Sequence, residues 1–263
     1  MTPSFEIVDT NLHTALRVFG DGPENGAVES FSGITVIDSG LDYGVFNLGV
    51  LRSPGVETGA DFERRLNAVS AYYRARNVRW SLWMCEDHLD RAVRNEARRQ
   101  ILATGFRQIA APPGMIAEAL SPPVRPLPSI EFHPVESSAT RLAFTHISSI
   151  SFDIPFSTAK KVYAQDSAWT GSYQGWIGYA DETAVCCAAT VVEAGAIGIY
   201  SVGTLPGYRR RGYAEALMRQ VIDRVRQETG LSRTLLQASD AGEALYLQMG
   251  YRVVTRYAVY LLG

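Results

Sequence analysis

Arg209, Arg210 and Arg211 stand immediately before Gly212-Tyr213-Ala214, where a strand expected over 197–204 gives way through a basic turn to a long amphipathic helix expected over 209–227. The start of a helix leaves backbone N–H groups without intrahelical partners and carries the positive end of the helix dipole. Arginines there crowd like charge onto a positive end, which is unfavourable unless an anion is present. Small residues at Gly212 and Ala214 let the first turn approach a ligand closely. Residue types and spacing together point to capture of a phosphate. In the preceding strand, Gly198 and Gly203 would weaken a sheet unless they serve a bulge or a close backbone approach.

The pattern Arg209-x-x-Gly212-x-Ala214, following a strand that ends Val202-x-Thr204-x-Pro206, resembles the pyrophosphate-binding motif of the GNAT superfamily of N-acetyltransferases. The resemblance implies acetyl-CoA as co-substrate. Arg209, Arg210, Arg211, Gly212, Tyr213, Ala214 and Glu215 would hold its pyrophosphate, and Val202, Gly203 and Thr204 would lie along its pantetheine arm. It also implies a bulge that splays this strand from the next, with the backbone N–H assigned to Val202 polarising the acetyl carbonyl.

A second stretch, from Leu236 through Ser239, Asp240, Gly242 and Tyr246 to Gly250-Tyr251, is similar to the GNAT strand-helix segment. By that resemblance Ser239 lies at the cofactor and Tyr246 is the general acid. A phenol with a pKa of about 10 is protonated at neutral pH and can donate to a departing thiolate whose conjugate acid has a pKa near 8.5.

The activity implied is direct transfer of acetyl to a primary amine, on a small molecule or a peptide, without a covalent enzyme intermediate. An amine with a pKa of about 10.4 must lose a proton before it attacks. Glu193, Tyr200, His146 and Asp153 are the candidates to accept it, and the sequence singles out none of them. Phe152, Pro155 and Phe156 fall where the family lines its acceptor site, which implies a partly apolar acceptor. A non-catalytic acyl-CoA-binding regulatory module is the alternative reading.

The expected elements fit this picture. Strands are expected over 34–37 and 45–51, a helix over 62–75, a strand over 79–84, a helix over 89–102 and a strand over 106–110. Pro112-Pro113-Gly114 reads as a break, and the proline-rich run over 122–128 as a linker between domains at 1–121 and 129–263. Beyond it come a strand over 130–134, helices over 138–150 and 157–165, and strands over 174–179, 184–192 and 197–204. The long helix over 209–227, a strand over 235–238, a helix over 243–249 and one or two strands over 251–262 complete the chain. The fold class expected is α/β (α+β), with two GNAT-like domains, each a mixed, mostly antiparallel sheet flanked by helices.

Thr104-Gly105-Phe106 after one helix parallels Met249-Gly250-Tyr251 after another, so the halves read as a diverged repeat. The N-terminal copy, over 51–61, lacks the arginine-glycine motif and has Ile101 where the repeat places Tyr246. It reads as a degenerate half that shapes the cleft.

With 263 residues, a formal net charge of −2 and 46% hydrophobic residues, the chain has a globular composition and no basic excess for nucleic acid or anionic membrane. Three cysteines, Cys85, Cys186 and Cys187, give neither a disulfide framework nor a spaced metal site, so no metal is expected. No apolar run suits a membrane span and the first residues carry no export pattern, so a cytoplasmic monomer or homodimer is expected. Trp80, Trp83, Trp169 and Trp176 read as core or interface packing.

Overall fold

The chain repeats a common run of two helices, three strands, helix, strand and helix before its closing strands, with one additional strand at the head of the second half. The computed structural model describes residues 2–31, 33–51 and 56–262. In the first half, helices α1 (Ser4–Leu16) and α2 (Val18–Asp21) precede strands β1 (Ala27–Phe31), β2 (Ile34–Asp38) and β3 (Leu48–Leu51), followed by α3 (Gly59–Arg76), β4 (Ser81–Cys85), α4 (Arg91–Ala103), β5 (Phe106–Ala110) and β6 (Pro113–Ala117). The second half opens with β7 (Glu131–Pro134), α5 (Ser138–Ser151) and α6 (Phe156–Tyr163). Strands β8 (Tyr173–Ala180), β9 (Thr183–Glu193) and β10 (Ala196–Thr204) follow, then α7 (Tyr213–Thr229), β11 (Thr234–Gln237), α8 (Asp240–Gln248) and β12 (Arg252–Leu262). In both halves an antiparallel meander leads through a long helix to a strand parallel to the meander's last one, β4 beside β3 and β11 beside β10. This is the mixed, mostly antiparallel sheet flanked by helices that the sequence predicts. Among the described residues no helix is long and apolar enough to cross a membrane.

Local chemistry sets the helix ends. Thr58 and Asp90 cap α3 and α4 by accepting from the N–H groups of Asp61 (3.1 Å) and Val93 (2.8 Å), and Ser137 with Thr140 forms a capping box on α5. Gly105 and Gly250 take φ of 92° and 97°, the left-handed turn that ends α4 and α8 and releases an aromatic residue toward the next strand. The repeat read from these positions is therefore present in the backbone. The degenerate counterpart of the arginine-glycine motif includes Arg52 to Gly55, which lie outside the described residues. Ile101 is fully buried in α4.

The sequence reading needs three corrections. Pro112-Pro113-Gly114 does not end a domain, because β6 begins at Pro113 and lies between β11 and β12 in a single sheet of order β1-β2-β3-β4-β12-β6-β11-β10-β9-β8-β7, with β5 also on β12. Proline is tolerated as the first residue of that strand. A Cβ on Gly114 would meet Thr255 Cγ2 at 2.5 Å, so close packing against β12 demands glycine there.

Next, β12 is one strand serving both halves. Its first residues, from Arg252 to Arg256, pair with β6, and Tyr257 to Leu261 pair with β4. The halves thus exchange their final strands, and a cut at residue 121 divides the chain without dividing the sheet. Residues 118–130 between them hold no helix or strand.

Finally, the helix expected from 209 begins at Tyr213, because Arg210 (φ 62°) and Gly212 (φ 94°) are left-handed. The reading also overlooked α1, which buries Val8, Leu12, Ala15 and Leu16 against β6, β9 and β10.

Candidate active site

The site begins where two parallel strands part. Strand β10 pairs with β11 only from Ile197–Thr234 to Ile199–Leu236, although it continues to Thr204. On its other edge the register with β9 shifts between Tyr200 and Gly203, and Ser201 takes φ of 47°. The bulge expected in this strand is present, centred on Ser201 and Val202. The two glycines serve close approach, each to a different helix. A Cβ on Gly198 would stand 2.0 Å from Asn11 Oδ1 of α1, and one on Gly203 2.7 Å from Ser151 Oγ of α5.

Beside the bulge lies a cavity of about 300 Å³ with walls from both halves. Leu12, Ala15 and Leu16 of α1, with Tyr43, Phe46 and Trp83, form one side; Phe152, Ile154, Tyr163 and Tyr173 form another. Ser201, Val202, Gln237, Ser239 and Tyr246 complete it. Phe152 from the expected acceptor loop lines the cavity and Phe156 does not, though both are equally exposed. Tyr173 and Ser201 close one end through a 2.7 Å hydrogen bond between their hydroxyls.

Helix α8 carries Tyr246 into this cavity. Burial pushes its phenol well above the ordinary tyrosine value, so the proton is held throughout the neutral range. Ser239 precedes α8 but makes no side-chain capping bond, and its hydroxyl reaches the same cavity. Sequence reasoning did not select Gln237 at the end of β11. Among the described residues neither its Nε2 nor its Oε1 has a hydrogen-bond partner, though both are buried. Such a group normally finds a partner, so an unpaired amide facing a cavity marks a place for a bound polar group. The available signal was a polar residue closing the apolar run Leu235-Leu236-Gln237.

The expected phosphate loop follows the C-terminal end of β10. Left-handed Arg210 and Gly212 turn the chain so that α7 begins without a capping side chain. Its first amides are therefore available to an anion. The loop residues separate in role. Arg209 Nε donates 2.9 Å back to Thr204 O and braces the turn, while the Arg211 guanidinium lies 5.9 Å from the Tyr208 ring centroid. Tyr213 packs edge-on against Tyr208, and its carbonyl accepts from the Cys186 thiol.

The side chain of Glu215 is buried and paired with Arg219 at 2.8 Å, so the part expected of this residue at the phosphate falls to its backbone. Arg219 also donates to Ser121 O and so fastens the start of the linker. The linker itself covers the loop. Arg125 donates to Arg210 O at 3.3 Å and Pro128 packs on Gly212, adding a fourth guanidinium that the sequence motif did not contain.

Of the four candidate bases only Tyr200 lines the cavity. Its hydroxyl donates to Asn11 Oδ1 at 2.7 Å, and burial holds it well above the ordinary tyrosine value, so it is no base near neutrality. Glu193 accepts from the Ala194 N–H in its own turn, and no charged side chain lines the cavity among the described residues. Burial pushes the thiols of Cys186 and Cys187 up to about 12, which leaves them protonated inside β9.

Residues 142–251 match the model of the acetyltransferase (GNAT) family. The whole fold is similar to a GCN5-related N-acetyltransferase from Kribbella flavida, with a TM-score of 0.73, 16% identity and coverage of 99% of this chain and 96% of that one. It is also similar to a GCN5-related N-acetyltransferase from Sphaerobacter thermophilus (TM-score 0.59, 16% identity, 99% and 93% covered). A tandem GNAT protein from the clavulanic acid biosynthesis pathway shares the fold at a TM-score of 0.56 and 8% identity, over 87% of this chain and 77% of that one. No curated protein matches the chain.

Proposed function

We propose that this tandem GNAT-fold chain, an acyltransferase whose family domain lies at residues 142–251, moves acetyl from acetyl-CoA to a primary amine carried on an apolar or aromatic body. The observation that carries the reading is convergence. Tyr246, Ser239, Gln237 and the bulge residues Ser201 and Val202 open into one cavity where β10 and β11 separate. The loop before α7 that would take the diphosphate follows the C-terminal end of the same strand, just beyond the bulge.

The chain's residues fit the co-substrate. Uncapped amides at Tyr213 and Ala214, with Arg125, Arg210 and Arg211, would hold the diphosphate; Val202 to Thr204 would flank the pantetheine arm. Acetyl-CoA supplies a thioester whose carbonyl carbon accepts the amine. The Val202 N–H polarises the carbonyl oxygen as charge develops on it. As the carbon–nitrogen bond forms and the carbon–sulfur bond breaks, Tyr246 would give its phenolic proton to the departing sulfur, and the proton that the nitrogen loses on becoming an amide would return through water to the phenolate.

Direct attack is supported by the protonated, enclosed state of both cysteines in β9. With no carboxylate or imidazole lining the cavity among the described residues, the apolar walls do part of the base's work. Desolvation disfavours the ammonium form, so the amine sheds its proton to water before attack. The same walls favour an apolar or aromatic acceptor.

The reading is tested by thermal stabilisation of the chain by coenzyme A at millimolar concentration, followed by thiol release from acetyl-CoA over a panel of aryl, alkyl and peptide amines. Stabilisation with release on apolar amines is expected. Stabilisation without release on any amine would leave a binding module, and absence of stabilisation would remove the coenzyme A site.

A further inference from the structure

Along the same face of α1 as the cavity-lining Leu12 and Leu16, a pair of residues from α1 and a pair from the end of β4 bring nitrogen, oxygen and sulfur donors together. Asp9 of α1, Cys85 at the end of β4 and His88 in the 3-10 turn Glu86–His88 place a carboxylate oxygen, a thiol sulfur and an imidazole nitrogen within 4.8 Å of one another. Asp9 Oδ2 is 2.8 Å from His88 Nε2 and 3.4 Å from Nε2 of His13, one helical turn further along α1. Asp9 and Cys85 are 4% and 3% exposed.

We propose that Asp9, Cys85, His88 and His13 form a zinc site. The donor set selects the metal. Two imidazoles, a thiolate and one carboxylate suit borderline-soft, four-coordinate zinc, whereas calcium and magnesium require a shell of oxygens. Charge balances as well. The thiol loses its proton to solvent on coordination, so thiolate and carboxylate cancel the charge of the dication and both imidazoles remain neutral. A buried site of zero net charge avoids most of the desolvation cost of an isolated ion.

The spacing is compatible with tetrahedral coordination. Ligand atoms at about 2.0–2.3 Å from a tetrahedral metal lie about 3.3–3.8 Å apart, so the Asp9–His88 pair needs to open by about half an ångström, and His13, which approaches Asp9 but stands outside the group of three within 4.8 Å, needs to turn toward the metal. Asp9-x-x-x-His13 puts two donors on one helix face, and Cys85-x-x-His88 brings the others round a single tight turn.

Two groups hold the Cys85 sulfur in place. The Asp87 backbone N–H faces it, and Thr255 Oγ1, which donates 2.6 Å to Asp87, lies 3.2 Å away. Such outer partners orient metal-bound ligands. A cavity of about 420 Å³ lined by Glu6, Asp9, Thr10, His13 and His88 provides the entry path.

The metal would tie α1, which packs on the second half, to β4 of the first, and through Thr255 to the shared strand β12. The same helix supplies Leu12, Ala15 and Leu16 to the cavity wall. The zinc therefore fixes the helix that supplies one wall of the acceptor cavity, whatever acceptor the cavity takes.

The test uses the full chain, stripped with chelator and titrated with Co²⁺ and then Zn²⁺. Expected are one equivalent of Co²⁺, a thiolate-to-cobalt charge-transfer band with tetrahedral d–d bands, displacement of cobalt by zinc, and a rise of several degrees in Tm with zinc. Cys85→Ser should abolish the charge-transfer band and weaken zinc binding by on the order of 100-fold or more, and His13→Ala should weaken it by at least about 10-fold. Retention of less than a tenth of an equivalent of zinc by the wild-type chain after dialysis, or cobalt binding without a charge-transfer band, would overturn the site and leave the Asp9–His88 contact as an ion pair only. Cobalt binding in Cys85→Ser equal to wild type would overturn the ligand set.

Discussion

The ring of Tyr246 folds back over Gly242, so closely that a Cβ on residue 242 would stand 2.7 Å from its Cε2 and 3.2 Å from its phenol oxygen. The two residues lie one helical turn apart, and the missing side chain is what lets the phenol occupy this position. Glycine inside a helix costs about 1 kcal/mol relative to alanine, so Gly242→Ala should favour the helix while pushing the ring from its place. The expected outcome is a kcat at least about ten-fold lower with the dissociation constant for acetyl-CoA little changed. Steady-state kinetics beside a binding titration would check it.

Buried tyrosines set the alkaline limit. Burial raises the phenols of Tyr73, Tyr173, Tyr200, Tyr246 and Tyr257 above their ordinary value, so the folded chain keeps protons that the unfolded chain releases near pH 10. Their stabilising contribution is complete below about pH 10 and is lost as pH rises toward the folded values. Denaturant midpoints should therefore change little with these groups between about pH 7 and 9.5 and fall steeply above 10. Over the lower range kcat/KM should climb as the amine deprotonates, with no loss traceable to Tyr246, because its proton is retained.

Arg125 reaches the phosphate loop from a proline-rich segment outside the motif, through its bond to Arg210 O. An exposed guanidinium is worth at most about 1 kcal/mol toward a phosphate. Arg125→Ala should raise KM for acetyl-CoA about two- to five-fold and leave kcat unchanged. The same KM in wild type and variant would remove the linker from the cofactor site.

Asn11 is fully buried and joins α1 to the second half. Its Nδ2 donates to the carbonyls of Val191, Glu193 and Ala196 at 3.2, 3.0 and 3.3 Å, and its Oδ1 accepts from Tyr200. Gly198→Ala would drive a methyl group into that amide, costing about 2–4 kcal/mol through overpacking and broken hydrogen bonds. The denaturation midpoint should fall accordingly, and a stability within 0.5 kcal/mol of wild type, the range of a neutral surface change, would contradict this account of the contact.

What the sequence disclosed depended on how local each signal was. The motif from Arg209 to Ala214, the bulge near Val202, and the glycine-ended helices before Phe106 and Tyr251 are written in neighbouring residues, so they could be read directly. Their positions in the fold agree with that reading. The exchange of β6 and β12 depends on pairings between residues more than a hundred positions apart, and Pro112-Pro113 looked like a break because proline removes donors that the first residue of a strand can spare. Glu215 directly follows the motif, and the burial of its side chain against Arg219 is visible only in the packed helix. Helix α1 buries the polar Asp9 and Asn11 among its apolar residues, so its inward face breaks the apolar period, and Asn11 and half of the Asp9–His13–Cys85–His88 cluster are legible only from the packing. Gln237 needed the cavity itself, since an unpaired amide is visible only when its surroundings are known.

The most direct test of the account compares wild type with Tyr246→Phe, following free thiol released from acetyl-CoA on the best apolar amine while measuring acetyl-CoA affinity on the same samples. Loss of a general acid costs roughly 10²- to 10⁴-fold when proton transfer limits the rate. The account predicts a fall in turnover of at least tens-fold with affinity nearly unchanged. Equal turnover in the two proteins would contradict it.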